Sequence, residues 1–164
     1  MQERWLPVVP LVLALALPSC ASLPASQRDI VEPLQHTPET VMGLIDRHLS
    51  QLSRNIDDLN DRMADLKHMP DTPDPTIRDL RALDLAGWQL HQQQWILQRE
   101  HLQFARMQLQ RATDHPNEKA QLQQEWTKHE QEFEAALDDF RQQRHALEKK
   151  RLQVEAELID RYLR

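Results

Sequence analysis

Hydrophobic side chains recur at heptad spacing over most of this chain, which predicts long α-helices that pack as coiled coils. The clearest run follows Thr37, Pro38 and Glu39, a typical helix start with a capping hydroxyl, a proline and an acid. Its eight apolar residues are spaced alternately three and four apart: Met42, Ile45, Leu49, Leu52, Ile56, Leu59, Met63 and Leu66. Pro70 ends the run, so we expect a first helix over about residues 38–69.

A second helix is predicted over about residues 75–113, after a proline-rich turn. Two apolar rows with seven-residue spacing run along it: Leu83, Leu90, Leu97 and Phe104, and Trp88, Trp95, Leu102 and Leu109. The rows are offset by about 200° around the helix, so they face nearly opposite ways. We therefore expect this helix to lie between two partner helices.

A third helix is predicted over about residues 117–163, beyond a break at 113–117. One row follows it: Trp126, Phe133, Phe140, Leu147 and Val154. Folding the third helix back about residue 115 gives four matched pairs: Phe104 with Trp126, Leu97 with Phe133, Leu90 with Phe140, and Leu83 with Leu147. The second and third helices should therefore form an antiparallel hairpin.

The first and second helices are also expected to form an antiparallel hairpin, folded about residue 72. This fold pairs Met42 with Leu102, Leu49 with Trp95, and Ile56 with Trp88. The sequence thus predicts an elongated all-α domain over residues 37–164, built from three long antiparallel coiled-coil helices in two hairpins. A closed triangular bundle, side-by-side helices and a dimer all satisfy the pattern.

Composition narrows the range of functions. The chain contains two glycines, too few for the phosphate-cradling loops and loop-built active sites that need backbone freedom or close approach. Its net charge of −6 gives no electrostatic reason to bind nucleic acid. No Ser-His-Asp order or nucleophile-elbow motif is present, so we expect no catalytic residues, no cofactor and no small-molecule substrate.

Residues 1–19 have the layout of an export signal. Arg4 follows the amino terminus, thirteen mostly apolar residues run from Trp5 to Leu17, and small residues come next. The apolar run is too short to span a bilayer comfortably. Residues 20–36 then read as a flexible tether, because two prolines within them forbid a continuous helix.

The end of this leader, Leu17-Pro18-Ser19-Cys20, resembles the lipobox of bacterial lipoproteins. The resemblance implies cleavage before Cys20 by signal peptidase II and a lipid-modified cysteine that anchors the mature chain in the membrane. Ala21 after the cysteine implies an outer-membrane location facing the periplasm. The alternative is ordinary cleavage nearby, which would release a soluble periplasmic protein whose only cysteine is a free thiol.

Eight histidines raise the question of a metal site. Three pairs have the spacing of ligands on one helical face: His115 with Glu118, His129 with Glu132, and His145 with Glu148. The first helix offers a group of carboxylates: Asp57, Asp58, Asp61 and Asp65. No Glu-x-x-His pair of the di-iron type occurs, so we interpret these side chains as solvated and expect no metal.

Charge is uneven along the third helix. Residues 125–139 carry a net charge of −5, and residues 141–151 carry +4. This pattern is typical either of electrostatic docking or of a solvated face with pairs one turn apart.

The third helix should outrun the second by about ten residues, 155–164. Four apolar residues lie on this overhang: Leu158, Ile159, Tyr162 and Leu163. An up-down-up chain puts this end some 65 Å from the tether. We interpret the four residues either as a docking or self-association surface or as a frayed helix end.

The sequence therefore favours a non-enzymatic envelope lipoprotein that scaffolds or tethers a protein partner, or self-associates, through helix-to-helix contact. A periplasmic chaperone-like protein that binds apolar or helical clients is the alternative. A metal-binding helical protein is a more distant one.

Overall fold

The computed structural model describes residues 37–163 of the chain. They form three α-helices, which we number α1 (Pro38–His68), α2 (Pro75–Asp114) and α3 (Lys119–Leu163), with a 3-10 turn at Pro116–Glu118 before α3. No strand occurs in this part of the chain. The all-α fold is as predicted, and each helix begins and ends within about two residues of its expected limits.

The segments assigned to the export signal and the tether, residues 1–36, lie outside the described residues. The same holds for Cys20, so its lipidation stays a prediction.

Side-chain caps begin α1 and α2, as the sequence indicates. The Thr37 hydroxyl accepts a hydrogen bond from the backbone N–H of Thr40 at 3.3 Å. The Asp74 carboxylate accepts one from the N–H of Thr76 at 2.8 Å. A proline follows each cap, where its missing N–H costs nothing because first-turn N–H groups have no helical partner.

The three helices are arranged with α2 in the middle, because its two apolar rows require two partners. It packs against α1 on one face and α3 on another, and no comparable interface joins α1 to α3 among the described residues. The chain runs up, down and up. We call the end with Thr37 and the α2–α3 turn the base, and the end with residues 69–74 and Leu163 the tip.

Side chains from all three helices share one core cluster near the base. It consists of Val41, Ile45, Leu102, Ala105 and Trp126. Its members are 3–7% exposed, and no large side chain in residues 37–163 is less than 2% exposed. A slender rod therefore has a thin core, and its stability depends on a few large residues such as Trp126.

The α2–α3 hairpin follows the predicted fold about residue 115. The rings of Phe104 and Trp126 stack with their centroids 6.1 Å apart. Two other expected pairs, Leu90 with Phe140 and Leu83 with Leu147, line one common groove.

The α1–α2 hairpin differs from the prediction by about one heptad. Three polar contacts fix its alignment: Asp46 with Arg106, Asn60 with Gln92, and the Pro70 carbonyl with Arg81. Each α2 partner lies seven or eight residues further along than a fold about residue 72 would place it, some 10 Å along the helix. The pairs expected from that fold were therefore wrong. A shift of one heptad preserves the match of apolar rows, so the pattern alone does not select between the two alignments.

Candidate functional site

A groove between α2 and α3 opens toward the tip. Its volume is about 670 Å³, within the range of ligand and peptide sites. Six apolar side chains line it: Leu83, Trp88, Leu90, Phe140, Leu147 and Leu152.

The groove lies where the side chains of α3 are no longer buried. On α3 the buried side chains are Leu122, Trp126 and Phe133, and no described residue beyond Phe133 is buried. On α2, Gly87 contributes no side chain to the groove wall. A Cβ placed on Gly87 would meet no other atom within 4 Å, so the wall has room to spare at this point.

Five charged residues also line the groove: Asp84, Arg144, Glu148, Arg151 and Glu155. Arg151 pairs with Asp84 at 2.9 Å and with Glu155 at 2.8 Å, and the Glu155 hydrogen bond and the Asp84 charge raise the pKa of Arg151. Within residues 37–163, neither Arg144 nor Glu148 has an oppositely charged group within 4.0 Å. The groove therefore presents one cation and one anion that have no ion-pair partner among the described residues.

His91 lies at the edge of the groove. Its ring centroid is 4.2 Å from that of Trp95. Partial burial and then the nearby charge of Arg144 lower the pKa of His91.

The exposed apolar side chains gather toward the tip. Those of large size are Met69, Met107, Leu152, Ile159, Tyr162 and Leu163, with exposures from 47% to 82%. All but Met107 lie in the tip half of the rod. Leu158 is half-buried.

Two long side chains at the end of α3, within the overhang expected from the sequence, reach the start of α2. The hydroxyl of Tyr162 donates to Asp74 at 3.2 Å, and the guanidinium of Arg161 lies 3.4 Å from the same carboxylate. Both donors thus connect the last turns of α3 to the cap that begins α2. The Thr76 N–H, with help from Tyr162 and Arg161, lowers the pKa of Asp74.

A stack of aromatic and imidazole rings lies between α2 and α3 on the base side of the groove. The ring of His101 is 5% exposed and stacks on Phe133 at 3.9 Å and on His129 at 5.2 Å, with interplanar angles of 15° and 9°. Phe104 contacts the other side of His129 at 3.9 Å. Burial, and then the proximity of His129, lowers the pKa of His101 to about 4.

The sequence reasoning missed this stack. It placed His129 at a solvated position and did not single out His101, yet His129 is half-buried and its pKa is lowered by burial. Within the described residues, neither Nδ1 of His101 nor Nε2 of His129 has a hydrogen-bond partner. The signal was available, because a fold about residue 115 pairs residue 101 with residue 129 as it pairs Phe104 with Trp126.

Polar contacts fasten the α2–α3 turn at the base. Arg111 binds Glu118 at 3.0 Å and Glu125 at 2.8 Å, and Gln108 donates to Glu125 at 2.9 Å. The pKa of Arg111 is raised, chiefly by the Glu118 hydrogen bond, and that of Glu125 is lowered, chiefly by Gln108. Glu118 thus forms an ion pair with Arg111 in the turn.

In residues 37–163 no three His, Asp or Glu side chains come close enough together to hold a metal ion. None of the helices in this range has the length and hydrophobicity needed to cross a bilayer.

Comparison with protein families, with curated proteins and with solved structures finds no match to this chain.

Proposed function

We propose that this chain is a lipid-anchored coiled-coil protein of the bacterial cell envelope that serves as a non-enzymatic scaffold or tether. Cys20 carries the lipid, and residues 20–36 connect it to the helical domain. The mature protein is attached to the outer membrane and faces the periplasm.

One observation carries the proposal: the first described residue, Thr37, and the exposed apolar residues lie at opposite ends of the rod. Thr37, where the tether joins, is at the base, while Ile159, Tyr162 and Leu163 are at the tip. Helix α3 spans 45 residues, so the two ends are about 65 Å apart. Apolar side chains exposed so far from the anchor favour binding to another protein, because monomers rarely expose contiguous apolar patches larger than a few hundred Å².

Incorporation of labelled fatty acid tests the anchor. Cells that express the full-length chain should label it with palmitate, and Cys20→Ala should abolish the label because no other cysteine is present. Ser19→Ala is the matched control and should keep the label. Mature protein with an unmodified thiol would overturn the proposal.

A photo-crosslinking side chain placed at Ile159 tests the tip. In intact cells it should give a discrete crosslinked species, because Ile159 is 58% exposed at the proposed docking end. The same group at Met107, which is 47% exposed but near the base, is the control. Equal crosslinking from both positions would show that the tip is not a specific docking surface.

A chaperone-like protein is the second candidate, and the open apolar groove favours it. If the groove holds clients, an unfolded protein should bind saturably, and Gly87→Leu should weaken its binding by filling the groove. Gly43→Leu should not, because Gly43 also has open space around it but lies on α1 outside the groove.

A further inference from the structure

The groove side of α3 continues as one face toward the tip. From Phe140 to Glu155 this face lines the groove. Ile159 and Tyr162 follow Glu155 at intervals of four and seven residues, so they lie on the same side of the helix. The groove and the exposed apolar residues therefore form a single surface over roughly the last two dozen residues of α3.

The charges on this face of α3 are complementary to those on the same face of a second copy of the chain. Arg144 and Glu148 are unpaired among residues 37–163. Arg151 and Glu155 follow at intervals of seven residues, and they pair with each other and, through Arg151, with Asp84. Suppose that a second α3 packs antiparallel against the first, related to it by a two-fold axis at the level of residues 149 and 150. Arg144 then faces Glu155 of the second copy. In the same alignment Glu148 faces Arg151 of the second copy. The symmetry repeats both pairs, as an isologous interface requires.

The apolar residues match in this same alignment. Leu147 faces Leu152 of the second copy, and Phe140 faces Ile159 of the second copy. Leu137, which is half-buried, faces Tyr162 of the second copy. The alignment that pairs the charges thus also gives apolar partners to the three exposed residues Leu152, Ile159 and Tyr162.

We propose that the groove and the apolar face of α3 bind a second copy of this chain, antiparallel, so that two α2–α3 hairpins form a four-helix bundle. The overlap covers residues 137–162, about 39 Å of each α3. The two bases point in opposite directions, about 90 Å apart, so the dimer carries an anchor segment at each end. The dimer rests on the proposed function, because it identifies a second copy of the chain as the partner that binds the exposed apolar surface.

Charge reversal tests the alignment. By sedimentation equilibrium in density-matched detergent, the full-length chain should be a dimer. Arg144→Glu and Glu155→Arg should each weaken dimerisation about tenfold or more, because each places two like-charged pairs across the interface. An equimolar mixture of the two variants should restore it, since opposite charges again face each other in the mixed dimer.

Filling the groove gives an independent test. Gly87→Leu should yield monomer, whereas Gly43→Leu, which makes the same gain in helix propensity outside the groove, should remain dimeric. Circular dichroism should show equal helix content in all four variants.

A monomeric wild-type chain, a dimer unaffected by Gly87→Leu, or a mixture that fails to restore association would overturn the proposal. None of these results would affect fatty-acid labelling at Cys20, so a failure of the dimer is distinguishable from a failure of the anchored scaffold.

Discussion

His101 is the clearest case of a single residue whose surroundings determine its chemistry. Its ring lies between Phe133 and His129, with Trp126 at 5.4 Å, and no carboxylate binds its buried nitrogen among the described residues. A charge there would be removed from water without a compensating partner. The native structure therefore requires a neutral imidazole.

The stack should make the stability of the rod depend on pH. The native pKa of His101 is about 4 and its ordinary value is 6.5, so the unfolded chain takes up a proton first as the pH falls. The part of the free energy of unfolding that depends on neutral His101 is fully present above pH 6.5 and declines as the pH falls toward 4. It amounts to at most about 3 kcal/mol. Chemical denaturation at pH 7.5 and pH 5 should show the decline in the free energy of unfolding.

Two variants isolate the role of His101. His101→Phe keeps a ring in the stack and should remove much of the loss between pH 7.5 and pH 5. His145→Phe, at an exposed site on α3, should leave the loss unchanged. The interpretation fails if both variants lose stability with pH as the wild type does.

At the level of helices, the sequence predicts where each helix begins but not how α1 and α2 align. Thr37 and Asp74, each followed by proline, mark helix starts wherever they occur, because the capping atoms are close in sequence. The α1–α2 alignment depends instead on how residues 69–74 connect the two helices. Heptads repeat every seven residues, so apolar rows match equally well after a slip of that length.

Chemical crosslinking of cysteine pairs tests the observed alignment of α1 and α2. With Cys20 replaced by Ser, Asn60→Cys combined with Gln92→Cys should react rapidly with a short bifunctional maleimide, because the native side chains are hydrogen-bonded. Asn60→Cys combined with Leu85→Cys should react slowly, since Leu85 lies two helical turns, about 10 Å, from Gln92 on the same face of α2. The reverse order of rates would restore the fold about residue 72.

For the whole molecule, three helices and the central place of α2 followed from the sequence, but the groove did not. The opposed rows of α2 require two partners, whatever the details of packing. The groove depends on how closely α3 approaches α2 beyond Phe133, which the sizes of Gly87, Phe140 and Leu147 decide together. The contacts of Arg161 and Tyr162 with Asp74 were not predicted either, because heptads do not encode such long-range polar contacts.

The central claim is that the tether end and the apolar end of the chain are separated by the length of the rod. Spin labels at Glu39→Cys and Ile159→Cys, in a Cys20→Ser chain diluted with unlabelled protein, measure this separation directly by double electron–electron resonance. The account predicts a distance of about 60–65 Å, from some 42 helical residues between the two levels. A distance below about 30 Å would contradict it, because both ends would then lie on the same side of the molecule.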